Sequence, residues 1–143
     1  MLPMVEDNTM QDCKIALVNN YPRDHHPRRA LCKPSHWVMR RSSFREAFAA
    51  YAPIDDGEMI NLVVEEIHFT EMENATKIAM LDDSDGVIFS GSPLNISDLR
   101  DGDENKRYLD KLEDFIFDAT MPLLGICFGH QLIGHAFGFQ IGK

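Results

Sequence analysis

The chain has 143 residues, enough for one domain with its own core but not two, and its 44% hydrophobic and 26% charged residues are an ordinary globular balance. Lys and Arg total 14 against 23 Asp and Glu, a formal net charge of −9, which argues against the phosphate-neutralising surface of a nucleic-acid binder. Cys13, Cys32 and Cys127 form no paired spacing, so a disulfide framework and a C-x-x-C metal site are both disfavoured, and a reducing, cytoplasmic setting fits.

Residues 1–12 contain neither the basic start nor the apolar run of a secretory signal and read as a flexible tail, ahead of one domain over residues 13–143. Ile15-Ala16-Leu17-Val18 is a short apolar run closed by Asn19-Asn20-Tyr21-Pro22, the pattern of a buried strand ending in a turn. Residues 21–41 form an irregular segment that holds Pro22, Pro27 and Pro34 and six basic residues. His25, His26 and His36 lie in it, but no acidic or thiol ligand stands at a metal-binding spacing from them. Its charge reads as a solvated loop, with a partner surface as the alternative.

Ser43 and Glu46 fit a capping box, and Phe44, Ala47, Phe48 and Tyr51 follow at helical spacing until Pro53. A second strand is expected within residues 61–68 and a short helix around residues 75–81. Residues 85–90 read as a third strand, closed by Gly91-Ser92-Pro93. Residues 103–118 predict an amphipathic helix with Tyr108, Leu109, Leu112, Phe115 and Ile116 on one side and an acidic start. A fourth strand at residues 122–126 then passes almost directly into a helix over residues 129–137. Strands alternating with helices imply an α/β fold, a parallel sheet with helices on both faces. Residues 119–142 carry no formal charge, yet Pro122 and five glycines suit a buried strand, turn and helix better than a membrane span.

Gly125-Ile126-Cys127-Phe128-Gly129 has the form G-x-C-x-G, the cysteine counterpart of the nucleophile elbow. A strand that turns sharply into a helix presents the turning side chain at the surface, and flanking glycines let backbone approach without a Cβ clash. The turn leaves Cys127 at a helix N-terminus, where free amides and the helix dipole favour a thiolate.

The longer run from Leu124 to Gly138 resembles the nucleophile motif of class I glutamine amidotransferases, and the segment from Asp85 to Pro93 resembles that family's glycine-rich oxyanion strand. Within the family the likeness is greatest to the amidotransferase part of GMP synthase. The resemblance implies a flavodoxin-like fold and a Cys127 that attacks the carboxamide carbon of glutamine, releases ammonia and holds a γ-glutamyl thioester. It implies oxyanion donors in the Phe128 amide and the Gly91-Ser92 turn, and Gln131 in contact with substrate. Many members have Gly-Gly where this chain has Gly91-Ser92. The implied partners are L-glutamine, or another γ-glutamyl compound, and a synthase domain or subunit, with no cofactor, no metal, no nucleic acid and no membrane. A γ-glutamyl peptidase of the same fold and a non-catalytic partner-binding half-domain are the alternative functions.

The family's base and its orienting carboxylate form a His-x-Glu pair well downstream of the nucleophile. Sixteen residues follow Cys127 and none forms that pair; His130 and His135 read as packing or supporting residues. The expectation is therefore a domain truncated at its C-terminal side and inactive alone.

Overall fold

A computed structural model describes residues 11–20, 60–99 and 101–142. Strands β1 (Gln11–Asn19), β2 (Ile60–His68), β3 (Gly86–Phe89) and β4 (Leu123–Gly125) form one sheet in the order β2-β1-β3-β4. Every pairing is parallel. Helices α1 (Ala75–Asp82), α2 (Glu104–Asp118) and α3 (Phe128–Ala136) follow β2, β3 and β4 respectively. This is the expected α/β architecture, with flavodoxin-like strand order. The predicted helix near residues 43–51, the basic segment 21–41 and residues 1–10 lie outside the described residues.

The strands are apolar because both of their faces are covered, as in parallel sheets generally. On one face Ala16, Val18, Ile67, Val87 and Phe89 meet Leu81 of α1, Leu109, Leu112 and Ile116 of α2, and Phe128 and Leu132 of α3. The opposite face buries Leu17, Val64 and Ile88, with Ile15, Leu62 and Ile126 packed against them. All three described helices contribute to the first cluster; the helix expected between β1 and β2 is among the residues not described.

Strand β1 begins at Gln11, so Gln11 and Asp12, expected in the tail, belong to the sheet. The cause is a partner strand: β1 and β2 pair over nine residues from Gln11↔Ile60 to Asn19↔His68. Asn61 Nδ2 also donates to Asp12 Oδ1 at 2.8 Å. The amphipathic prediction for α2 holds, with Leu109, Leu112 and Ile116 buried and Tyr108 and Phe115 half-buried. No described helix is long and apolar enough to cross a membrane.

Register decides where chemistry can gather. Asn19 pairs with His68, Val18 with Phe89, and Phe89 with Gly125, so the four strands end nearly level. The chain leaves β1 to one side for β2 and returns on the other side for β3. The gap between the carboxyl ends of β1 and β3 is thus a topological switch point, where open α/β sheets bind ligands.

Candidate active site

Strand β4 is three residues long and hands the chain to α3 across two residues. Ile126 N–H donates to the Phe89 carbonyl at 2.9 Å, keeping the chain on β3 as it leaves the sheet. Cys127 then reverses direction at φ 51°, ψ −105°, and among the described residues it alone, glycines apart, has a positive φ. Gly129 N–H donates to the Ile126 carbonyl at 2.9 Å and Gln131 N–H to the Cys127 carbonyl at 3.1 Å, closing the first turn.

The two glycines of the motif have measurable work. A Cβ on Gly125 would lie 2.5 Å from the backbone of Gly129 and His130. A Cβ on Gly129 would collide with the Phe89 carbonyl oxygen and lie 2.7 Å from Phe89 Cβ. The helix therefore starts with its backbone pressed onto β3 and β4, which only Gly permits at these positions. The Phe128 side chain, buried in the core, anchors the turn from below while Cys127 stays exposed above it. No side chain caps α3, and the Phe128 N–H donates to no group among the described residues.

Facing this turn is the loop after β3. A Cβ built on Gly91 would lie 3.8 Å from Cys127 Cβ and 3.9 Å from the Ile126 carbonyl oxygen, so the open side of Gly91 looks onto the cysteine. Ser92 Oγ accepts from Leu94 N–H at 3.1 Å, which turns the loop away from the sheet. The Gly91 and Ser92 amides donate to nothing among the described residues. Gln131 sits in the first turn of α3 with its Oε1 buried and without a partner among the described residues. The predicted residues Cys127, Phe128, Gly91, Ser92 and Gln131 thus fall around one point at the carboxyl edge of the sheet.

The histidines lie elsewhere. His135 Nδ1 meets Glu113 Oε1 of α2 at 2.6 Å. Eight residues along a helix put it about 12 Å from Cys127. His130 is exposed on the surface of α3. No group of three or more His, Cys, Asp and Glu side chains able to hold a metal ion occurs among the described residues. Reading the sequence missed Asn20 and Ser90, buried polar residues just past the ends of β1 and β3. Their signal was available: each follows an apolar strand at its carboxyl end, and parallel strands bring those ends together.

A cysteine on a strained strand-to-helix turn, beside free amides at the carboxyl edge of a parallel sheet, has the geometry of a nucleophile elbow on an α/β fold. The chain belongs to the class I glutamine amidotransferase family, whose sequence profile, Glutamine amidotransferase class-I, matches residues 57–143. It is 35% identical over 75 residues to a subunit of the glutamine-hydrolyzing GMP synthase of Archaeoglobus fulgidus, covering 50% of this chain and 33% of that protein. It is 31% identical over 109 residues to anthranilate synthase component 2 of Thermococcus kodakarensis, covering 74% and 47%. A crystal structure from Thermoplasma acidophilum, described as that of a GMP synthase subunit, shares the fold with a TM-score of 0.51 at 24% identity, covering 88% of this chain and 45% of that one. The chain therefore spans between about a third and a half of the length of each of these proteins.

Proposed function

We propose that this chain carries the nucleophile half of a glutaminase site that releases ammonia from the side-chain amide of glutamine for use by a synthase partner. One observation carries the reading: Cys127 stands exposed on the strained turn, between the uncapped start of α3 and the open face of Gly91. Names in the family point the same way, since the relatives above are a subunit of glutamine-hydrolyzing GMP synthase and component 2 of anthranilate synthase. The domain extends upstream of the profile match, because β1 lies between β2 and β3 and cannot be removed without splitting the sheet.

The chemistry follows from these positions. Cys127 Sγ bonds to the carboxamide carbon, the C–N bond breaks, and ammonia leaves with the thiol proton. The γ-glutamyl thioester is then cleaved by water to glutamate and the free thiol. During both attacks negative charge collects on the carbonyl oxygen. The Phe128 N–H and an amide of the Gly91-Ser92 turn are the donors for it, and loss of one such donor typically costs about 10²–10³ in rate. Gln131 offers its buried Oε1 as an acceptor for a donor group of the substrate. The base that moves the thiol proton is not His135, which is turned to Glu113, and we assign it to residues outside those described. A reducing compartment, the cytoplasm, suits a working thiol.

The test is affinity labelling. A chloroketone analogue of glutamine should alkylate Cys127, forming the S–C bond and releasing chloride, far faster than Cys13 or Cys32, as read by peptide mass mapping. Excess glutamine should protect Cys127, and Cys127→Ser should abolish that label. Equal labelling of all three cysteines, without protection, would overturn the reading. In the complete enzyme, turnover of a γ-glutamyl dipeptide far above that of glutamine would move the chain to the peptidases.

A further inference from the structure

Two peptide planes make up the donor turn beside Cys127, Ser90–Gly91 and Gly91–Ser92, and each must point its N–H at the same small volume. In a trans peptide the N–H and C=O are antiparallel, so whatever holds the carbonyl also aims the amide. Both carbonyls are held here, and both by one buried pair. Asn20 Nδ2 donates to the Ser90 carbonyl at 2.9 Å, which aims the Gly91 N–H. Ser90 Oγ donates to the Gly91 carbonyl at 2.9 Å, which aims the Ser92 N–H. That hydroxyl is itself oriented by Asn20, whose backbone N–H donates to Ser90 Oγ at 2.9 Å and so leaves the proton pointing at Gly91. Ser90 N–H in turn donates to the Val18 carbonyl at 3.0 Å, locking the arrangement to β1.

We infer that Asn20 is the positioning residue of the oxyanion site, acting through Ser90 to aim the amides of Gly91 and Ser92 toward Cys127. The inference rests on the amidotransferase reading above and adds to it a residue on β1's edge, two strands away from the nucleophile strand. Several features make this a matter of orientation rather than filling. Asn20 is fully buried, and among the described residues its Oδ1 has no hydrogen-bond partner. The opposite rotation of the amide would set Oδ1 against the Ser90 carbonyl, oxygen to oxygen, so Nδ2 stays on Ser90. The arrangement fixes the direction of one carbonyl. It also sits at the switch point between β1 and β3, where the level strand ends bring the donor turn beside the cysteine.

The prediction is read on the full chain with two reagents. The chloroketone analogue of glutamine places a carbonyl oxygen in the donor site as sulfur attacks. Methyl methanethiosulfonate has no carbonyl; it transfers a methylthio group to Cys127, forming an S–S bond and expelling methanesulfinate, and so reports accessibility alone. The ratio of the two rates at Cys127 should fall about tenfold or more in Asn20→Asp and Asn20→Ala, because the donors no longer converge. Ser90→Ala, which keeps the Ser90 carbonyl on Asn20 Nδ2 but frees the Gly91 carbonyl and the Asn20 N–H, should lower it by a smaller factor. Circular dichroism identifies the variants that fold, and Ser90→Ala decides the matter if both Asn20 variants do not. A purely structural Asn20 would lower the melting temperature and leave the ratio alone. An unchanged ratio in folded variants, with wild-type Cys127 still preferring the chloroketone, overturns this inference only. Loss of that preference in the wild type itself overturns the amidotransferase reading and this inference with it.

Discussion

Helices α2 and α3 pack against one another, and their first turns follow opposite rules. Asp103 starts α2 in extended backbone at φ −69°, ψ 131°, its side chain accepts from Asn105 N–H at 2.8 Å, and Glu104 places negative charge in the first turn. Cys127 starts α3 at φ 51°, ψ −105°, with no side-chain cap and no acidic residue in the first turn. A side-chain cap or a first-turn acid is each worth part of a kilocalorie or more to a helix, and α3 goes without both. What holds α3 in place is tertiary: its backbone lies against Phe89 and Gly125, and Phe128 and Leu132 are buried in the core. A helix start can be left strained and uncapped when packing supplies the stability, and the free amides then remain available to a substrate.

The sharpest way to break this contrast is to remove the close approach. Gly129→Ala should destabilise the protein by about 3 kcal/mol, the upper end for overpacking, because the new methyl meets strand backbone that cannot move aside. Urea denaturation checks it, and an unchanged midpoint would mean that α3 does not rest on β3. Next comes the strain at the elbow. Cys127→Gly should be about 1 kcal/mol more stable than Cys127→Ala, since only Gly takes this backbone region freely and part of the gain is lost to unfolded-state entropy. Comparing their melting temperatures gives the answer; the reverse order would deny the strain.

At the start of α2 the same kind of change should work in the other direction. Asp103→Ala should cost about 1 kcal/mol through the lost cap, measured by denaturation, with chloroketone labelling of Cys127 untouched. The smallest effect separates the two described thiols. Cys127 is exposed, whereas Cys13 is half-buried in β1, and burial first, then the negative charge of Asp85, raises its thiol above the usual range. Since the thiolate is the reactive form, Cys13 should react more slowly with iodoacetamide near neutral pH than an ordinary thiol. Its rate should go on rising at alkaline pH where ordinary thiols level off, and Asp85→Asn should partly restore it. Residue-resolved alkylation across pH would show this, and a profile like that of free cysteine would contradict it.

Much of the fold was legible because local pattern and tertiary demand agree. The apolar runs at residues 15–18 and 85–90 became buried strands, and the helical spacing of Leu109, Leu112 and Ile116 became the buried face of α2. The start of β1 was not legible. Gln11, Asp12, Cys13 and Lys14 have no apolar pattern and are strand only because β2 pairs with them. The turn at Cys127 was legible for a steric reason: a close-packed strand-to-helix turn tolerates few residue types, so Gly125, Cys127 and Gly129 announce themselves.

The sequence by itself determined the alternation of strands and helices, the elbow and its cysteine, because each depends on the backbone limits and apolar spacing of neighbouring residues. Only the tertiary structure decided that Asn20 and Ser90, seventy positions apart, share two hydrogen bonds beside Cys127. That meeting depends on strand order and register, in which β1 and β3 lie side by side with their ends level. An asparagine and a serine, each just past an apolar strand, mark two strand ends, but which ends meet and which atoms pair is set by how the sheet assembles and not by the residues on either side.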